Sequence, residues 1–248
     1  MPATSPMPGI GASARTAVVW DVLSTAVAGA TGLDVVDVGG GTGGFAVPLA
    51  EQGHRVTVVD PSPDALAALS RRAQERGLAD RIHAVQGDLD DLAELVPAAG
   101  ADLVLCHSVL QMVDDPGAAL RTLAGLLRPG GRLSLLVHNR DAAVVSRALA
   151  GRPEEAARLL DDPRGRWGEA DGVQHRWTPE QITALVTEAG LAVGQVHGVR
   201  VVADLVPSAL LDAEPGGPAA LLALERSLAD RAPFRDLATQ LHLLAQRA

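Results

Sequence analysis

The sequence predicts an α/β fold in which helices cover both faces of a mostly parallel sheet. Short apolar segments alternate with segments of helical periodicity from residue 15 to residue 137. The first apolar segment runs directly into a glycine-rich turn at residues 39–44. Crossover connections through the intervening helices are right-handed, so consecutive strands of this kind lie parallel.

The predicted elements follow one another in a regular order. An amphipathic helix over residues 15–28 comes first, because its valines and leucines recur at helical spacing. The predicted strands are residues 34–38, 55–59, 82–86, 102–106, 132–137 and 192–202. The later predicted helices are residues 45–52, 61–76, 89–96, 116–127, 142–160 with a break near 151–153, 179–190 and 219–230. The tail at residues 237–244 fits either a final strand or a short helix.

Local signals set several of these boundaries. Ser62 and Thr178 are predicted N-caps, because a hydroxyl at that position accepts a hydrogen bond from the first helical turn. Pro179 suits the first position of the helix that follows Thr178. Asp114 and Asp115 precede a proline and are interpreted as turn and cap residues, not as a catalytic pair.

Composition limits the classes of function. The chain has 248 residues and a net charge of −9, and all 21 basic residues are arginines. A protein that grips nucleic acid normally presents a basic face, so this charge disfavours such a partner without excluding a local arginine patch. Cys106 is the single cysteine, which excludes a disulfide within the chain. The seven histidines show no ligand spacing and there is no cysteine cluster, so we predict no metal site.

The N-terminal segment predicts a protein of the cytoplasm. Residues 1–13 are rich in Pro, Gly, Ala and Ser, and we expect them to be disordered. They lack the basic start and apolar run of a signal peptide. No stretch of about 18 apolar residues could cross a membrane.

The glycine-rich turn is the most informative motif. Gly39-x-Gly41-x-x-Gly44 fits a dinucleotide-binding fingerprint, with Asp60 about twenty residues further on. The same segment also reads as an apolar strand with an acidic residue, Asp37, followed by Gly39, Gly41 and Gly43 at alternate positions. Glycines here let the backbone turn tightly and approach a ligand at the carboxyl end of the strand.

The second pattern resembles the first motif of the class I S-adenosylmethionine-dependent methyltransferases. Three more features resemble that family: Asp60 at the end of the second strand, Gly87-Asp88 at the end of the third, and residues 127–131 before the fifth. The resemblance implies S-adenosylmethionine as the cofactor. It also implies a Rossmann-like, seven-stranded, mostly parallel sheet with helices on both faces, with the tail as an antiparallel strand.

A closer resemblance extends over residues 15–245, to the bacterial tRNA 5-carboxymethoxyuridine methyltransferases. It rests on residues 15–20, 102–110, 114–116, His138-Asn139, Ala150-Gly151 and 198–201. It implies a single domain at residues 14–248, with residues 141–177 as a lid or substrate-binding insertion. It implies that Arg15 binds the cofactor carboxylate, that Asp60 holds the ribose, and that His107 lies beside the cofactor. It further implies that Gly39, Gly40 and Gly41 line the methionine moiety and that Gly87, Asp88 and Leu89 border the adenine. Asp37, Gly43 and Pro61 complete the predicted set of cofactor-binding residues.

Two segments depart from this closer family. The family's loop carries a run of lysines, whereas residues 161–169 here are mixed in charge. Its last strand carries an arginine and a tyrosine before its histidine, whereas this chain reads Thr239-Gln240-Leu241-His242. Three hypotheses therefore stay open for the substrate. The enzyme methylates the carboxylate of a modified wobble uridine in tRNA, or it is a small-molecule O- or N-methyltransferase, or the protein binds the cofactor without catalysis. An arginine cluster around the pocket, formed by Arg140, Arg147, Arg152, Arg164, Arg166 and Arg176, would support tRNA.

The acceptor atom decides which side chains the chemistry needs. A carboxylate is ionised at pH 7 and needs a cation to orient it but no base. The candidates for positioning the acceptor are Arg176, Arg200, His138 and Asn139. A hydroxyl or amine acceptor would call for a base, for which His107, His138 and His175 are candidates. Adjacent strand residues point to opposite faces, so Cys106 and His107 are not expected to form a nucleophilic pair. Trp167 and Trp177 either anchor the loop or stack on a base.

Overall fold

A computed structural model describes residues 13–207, 209, 211 and 215–248. Its sheet has seven strands in the order β3-β2-β1-β4-β5-β7-β6, which confirms the predicted sheet. Only β7 pairs antiparallel with its neighbours. The strands are β1 (Asp34–Val38), β2 (Arg55–Asp60), β3 (Ile82–Gln86), β4 (Ala101–His107), β5 (Leu127–His138), β6 (Leu191–Val199) and β7 (Gln240–Arg247). The predicted disordered segment, residues 1–13, lies outside the described residues except for Ser13.

Helices cover both faces of this sheet. The central strands are buried on both faces because helices cover each face, and the last four residues of β1 are all buried. One core cluster includes Leu120, Leu123 and Ile182 against one face, and the other includes Leu23, Leu49 and Leu69 against the opposite face. The helices are α1 (Ala17–Val27), α2 (Ala46–Glu51), α3 (Pro63–Glu75), α4 (Leu92–Leu95), α5 (Pro116–Leu126), α6 (Arg140–Leu149), α7 (Pro153–Asp161), α8 (Pro179–Glu188) and α9 (Gly217–Leu228).

The predicted caps form. Ser62 Oγ accepts a hydrogen bond from the backbone N–H of Ala65, and Asp115 accepts one from Ala118. Thr178 and Gln181 form a reciprocal capping box at the start of α8. These three helices begin where the sequence places them because the signal is local.

Two elements that stop short of a predicted bound do so for a clear local reason. The helix expected at residues 89–96 begins only at Leu92, because Asp91 accepts a hydrogen bond from the N–H of Asp88 and Asp88 accepts one from Asp90. Side chains that bond the nearby backbone in this way compete with a helix. The strand expected to reach residue 202 ends at Val199, since Arg200 takes a left-handed backbone conformation with φ +63°.

The antiparallel direction of β7 determines what meets at one edge of the sheet. The carboxyl ends of the parallel strands lie together at this edge. Because β7 runs the other way, its first residue, Gln240, lies opposite His138 at the end of β5 and opposite Val199 at the end of β6. None of the helices in the part of the chain that the structure describes is long and apolar enough to cross a membrane.

Candidate cofactor and acceptor site

The glycine-rich turn after β1 has three left-handed positions. The φ angles of Gly39, Gly41 and Gly43 are +70°, +55° and +82°. A Cβ atom on Gly43 would also come within 2.4 Å of Leu69 Cδ1, whereas one on Gly44 would meet nothing within 4 Å. The turn therefore requires glycine at the three alternate positions and not at Gly44, so the backbone supports the methyltransferase pattern over the dinucleotide fingerprint.

Asp37 lies directly beneath this turn. A Cβ atom on Gly40 would lie 2.5 Å from Asp37 Oδ2 and 2.9 Å from Val58 Cγ1, so only glycine lets the turn pack this closely. Oδ2 is buried and has no hydrogen-bond partner among the described residues. Burial, and secondarily the charge of Asp60, raise the pKa of Asp37 to about 7.

Asp60 joins two loops at the ends of β1 and β2. Its Oδ2 accepts a hydrogen bond from the N–H of Gly41 at 2.8 Å, and its Oδ1 accepts one from the N–H of Ser62 at 2.9 Å. The side chain is buried. Each oxygen keeps a further lone pair, so the carboxylate can still accept hydrogen bonds from a ribose.

A cleft of about 690 Å³ opens beside these loops. This volume lies within the range of small-molecule sites. It brings together six of the predicted cofactor residues: Gly39, Asp60, Pro61, Gly87, Asp88 and Leu89. Met112, Val109, Val113 and Ala119 add apolar walls, and Ser108, which the sequence did not indicate, adds a hydroxyl.

A second cavity, of about 760 Å³, lies at the opposite edge of the sheet, between α1, α9 and the strands β6 and β7. Its charged walls are paired within the protein. Arg226 makes a bidentate ion pair with Asp21, and His197 Nδ1 lies 2.5 Å from Asp230. It contains none of the predicted site residues, so we assign the cofactor to the cleft at the carboxyl edge.

His107 ends β4 beside the glycine-rich turn. Its ring packs edge-on against Phe45, with centroids 4.5 Å apart, and Nε2 lies 2.8 Å from Ser134 Oγ. Ser134 Oγ lies 2.8 Å from His242 Nε2 in turn, which forms a buried chain that the sequence did not reveal. Burial lowers the pKa of His107 to about 3, so the ring is neutral and is a poor candidate for a base. Burial raises the pKa of Cys106 to about 12, consistent with an inert core thiol.

Two of the four candidates for positioning the acceptor are already engaged. The guanidinium of Arg176 is buried and makes a bidentate ion pair with Asp171, at 2.6 and 3.0 Å. Asn139 caps α6 and donates both amide hydrogens to the carbonyl oxygens of Asp236 and Ala238, each at 2.8 Å. Both side chains therefore have partners within the protein, which leaves them less available to an acceptor than the sequence suggested.

The other two candidates, His138 and Arg200, lie at the ends of β5 and β6. Burial lowers the pKa of His138, and the charges of Arg176 and Arg200 lower it further. Arg200 Nη1 donates to Gln240 Oε1 at 3.5 Å, and Gln240 Nε2 donates to Ser108 Oγ at 2.9 Å. A chain of polar side chains therefore links Arg200 to the cleft.

The segment predicted as a lid, residues 141–177, leaves β5 and returns to the same place. The N–H of Arg140 donates to the carbonyl of Trp177, and the N–H of Trp177 donates to the carbonyl of His138. Helices α6 and α7 form its first part. Trp177 is buried and stacks on His175, with centroids 5.6 Å apart, so this tryptophan anchors the loop.

The six arginines of the predicted cluster are mostly occupied by this segment itself. Arg140 donates to three carbonyl oxygens around the end of α7. Arg147 and Arg152 both pair with Glu155, and Arg147 also lies 4.2 Å above the ring of Trp167. Arg166 donates to the carbonyls of residues 168 and 169, and Arg176 pairs with residue 171. Arg164 is exposed and makes no side-chain ion pair or hydrogen bond within residues 13–207, 209, 211 and 215–248.

Several known proteins are similar to this chain in sequence. A family model described as "Methyltransferase domain" matches residues 14–196. The tRNA 5-carboxymethoxyuridine methyltransferase of Escherichia coli K12 is 31% identical, over 94% of this chain and 88% of its own length. The ubiquinone biosynthesis O-methyltransferase of Xylella fastidiosa 9a5c is 35% identical, over 68% of this chain and 65% of its own length.

Solved structures share the fold. An S-adenosylmethionine-dependent methyltransferase from Mesorhizobium loti has a TM-score of 0.63 at 22% identity, over 96% of this chain and all of its own. The [4+2]-cyclase SpnF has a TM-score of 0.61 at 19% identity, over 93% of this chain and 80% of its own. At these identities the likeness concerns the architecture alone.

Proposed function

This chain belongs to the class I S-adenosylmethionine-dependent methyltransferases, and from this premise we propose that it methylates the carboxylate of 5-carboxymethoxyuridine in tRNA. One observation carries the proposal. The similarity to the E. coli tRNA enzyme spans 94% of the chain, including the segment after β5 that would meet the acceptor. The similarity to the Xylella O-methyltransferase spans only 68%.

The residues of the cleft fit the cofactor. Asp60 has lone pairs free for the ribose, and the buried Oδ2 of Asp37 lacks a partner among the residues described. Arg15, Asp37, Asp60, Pro61 and His107 hold the cofactor in our proposal. They act together with the glycines Gly39, Gly40, Gly41, Gly43 and Gly87 and with Asp88 and Leu89.

Bound S-adenosylmethionine supplies a methyl group activated by a sulfonium. A carboxylate acceptor is already ionised near pH 7, so the protein moves no proton. Its task is to align the acceptor oxygen with the methyl carbon and to exclude water, and such positioning supplies much of the rate. With a pKa of about 3, His107 is too weak a base to take a proton from a hydroxyl or amine acceptor. Arg200, a cation, suits a carboxylate acceptor that needs no base.

Replacing Arg15 with alanine should weaken S-adenosylmethionine binding by about 1.5–3 kcal/mol, because a charged hydrogen bond to the cofactor carboxylate is lost. Isothermal titration calorimetry measures this change. Arg71→Ala is the matched control, since Arg71 is an exposed arginine on α3 that pairs with Glu75 on the same helix. An unchanged affinity in Arg15→Ala would remove Arg15 from the site.

Transfer of radiolabelled methyl to bulk tRNA tests the substrate. We expect label to enter tRNA from cells that lack this activity, and to leave under mild alkali, because a carboxyl methyl ester hydrolyses readily. The same tRNA from cells that retain the activity is the control and should accept little label. Alkali-stable label would contradict a carboxylate acceptor, and no label from a preparation that binds the cofactor would contradict tRNA.

A small-molecule O- or N-methyltransferase is the second candidate. Two observations favour it: the net charge of −9, and the pairing of most lid arginines within the protein. Absence of label in tRNA, together with label in a metabolite extract, would establish it.

In the first proposal, residues 141–177 form the platform for the acceptor within a single domain of residues 14–248, and the enzyme acts in the cytoplasm.

A further inference from the structure

Arg200 occupies a rigid and unusual position beside the cleft. Its φ of +63° is rare for a residue with a side chain, and such strain concentrates at functional sites. The next three residues are fixed by Glu225, a fully buried residue whose carboxylate accepts the N–H groups of Val201, Val202 and Ala203 at 2.7–2.9 Å. The backbone that presents Arg200 is therefore held from within the protein.

The guanidinium of Arg200 is only partly used. Nη2 lies 2.6 Å from Asp204 Oδ2, and Nη1 donates to Gln240 at 3.5 Å. Nε is buried and has no hydrogen-bond partner in the described parts of the chain. A carboxylate that approached the Nε–Nη2 edge would form two parallel hydrogen bonds, the geometry that arginine prefers. Asp204 now takes one of those two donors.

Asp204 also faces Arg15. Its Oδ1 lies 3.7 Å from Arg15 Nη2, so one carboxylate lies between the two guanidiniums. Asp204 lies on an exposed turn, and 21% of its side chain is accessible, so rotation into solvent is open to it. Arg200 is tied to the cleft through Gln240 and Ser108 and stays in place.

We propose that Arg200 is the docking point for the carboxylate of the methyl acceptor, and that Asp204 is an internal carboxylate that occupies Arg200 until the acceptor displaces it. This inference rests on the proposed function, because it requires an acceptor that carries a carboxylate. In this inference Asp204 determines which ligands bind. A neutral ligand that displaces Asp204 breaks the Arg200–Asp204 ion pair and forms no new ion pair in its place. Only an anion of matching shape restores the pairing of the guanidinium.

The test measures binding of two nucleosides by calorimetry in the presence of S-adenosylhomocysteine. 5-Carboxymethoxyuridine carries the carboxylate, and 5-methoxyuridine lacks it. We expect Asp204→Asn to bind 5-carboxymethoxyuridine about three- to fivefold more tightly, because a competing ion pair is removed, and to leave 5-methoxyuridine unchanged. Asp21→Asn makes the same charge change at a distant ion pair with Arg226 and should alter neither affinity.

Arg200 is tested in the same assay. Arg200→Gln should lose about 10- to 100-fold in affinity for 5-carboxymethoxyuridine, since a charge-assisted pair of hydrogen bonds is lost. Arg200→Lys keeps the charge but not the paired donors, and its affinity for 5-carboxymethoxyuridine should fall by less. This variant still tests Arg200 if the glutamine variant fails to fold. With tRNA as acceptor, Asp204→Asn should lower KM and leave kcat unchanged.

The outcomes separate this inference from the function on which it rests. If the wild type methylates tRNA but Asp204→Asn behaves like Asp21→Asn, or binds both nucleosides more tightly, the inference is wrong and the proposed function stands. If the wild type binds neither nucleoside and labels no tRNA, both are wrong.

Discussion

Replacing Asp60 with alanine should weaken binding of S-adenosylhomocysteine by about 100-fold or more. The carboxylate bonds the N–H groups of Gly41 and Ser62, so its loss leaves two backbone donors without a partner. Each unsatisfied donor costs about 1–3 kcal/mol, and the hydrogen bonds to the ribose are lost as well. The glycine-rich turn and the start of α3 are then no longer held together.

Calorimetry measures the affinity, and thermal unfolding without ligand measures the stability of the fold. Asp60→Asn should lie between the wild type and the alanine variant, because the amide keeps one acceptor oxygen. Asp80→Ala provides the control, since Asp80 is exposed and lies in the turn before β3. A Kd within threefold of the wild type for Asp60→Ala would exclude Asp60 from cofactor binding.

Replacing Asp37 with asparagine should stabilise the ligand-free protein at pH 8 while weakening its hold on the cofactor. Burial raises the pKa of Asp37 from 3.8 to about 7. The folded state therefore binds this proton more tightly than the unfolded state does. The resulting contribution to stability is fully present below pH 3.8 and is lost as the pH rises to about 7. The loss amounts to about 2–4 kcal/mol at most.

Urea unfolding without ligand at pH 5 and pH 8 measures this effect. The asparagine variant should be the more stable protein at both pH values, and its advantage should be clearly larger at pH 8 than at pH 5. The variant should bind S-adenosylmethionine, which carries a net positive charge, more weakly, because a neutral amide replaces a carboxylate beneath the glycine-rich turn. Activity would then decline as stability rises. A variant less stable than the wild type at pH 8 would show that the Asp37 carboxylate is satisfied in the folded protein.

The site was predictable to the extent that it is local in sequence. The glycines at positions 39, 41 and 43 are specified by backbone geometry, and the cleft gathers Asp60, Gly87 and Asp88 because parallel strands end at one edge. The family resemblance contributed the cofactor and the antiparallel tail, which periodicity alone left as either strand or helix.

Long-range pairing decided the rest. Arg176 and Arg200 are the same residue type, but Asp171 holds the first in a buried ion pair, while Nε of the second has no hydrogen-bond partner among the residues that the structure describes. Ser134 looks like a break in an apolar strand until His107 and His242, from strands on either side of β5, bond to its hydroxyl.

The sequence by itself determined the order of strands and helices, the helix caps and the glycine-rich turn, because each depends on neighbouring residues and on backbone angles. The tertiary structure decided which charges remain available to a ligand. An arginine's partner is set by which segments the fold brings together: Asp204 meets both Arg15 and Arg200 only because β6 ends beside the start of α1. The local sequence pattern cannot predict which distant segments become neighbours in the fold.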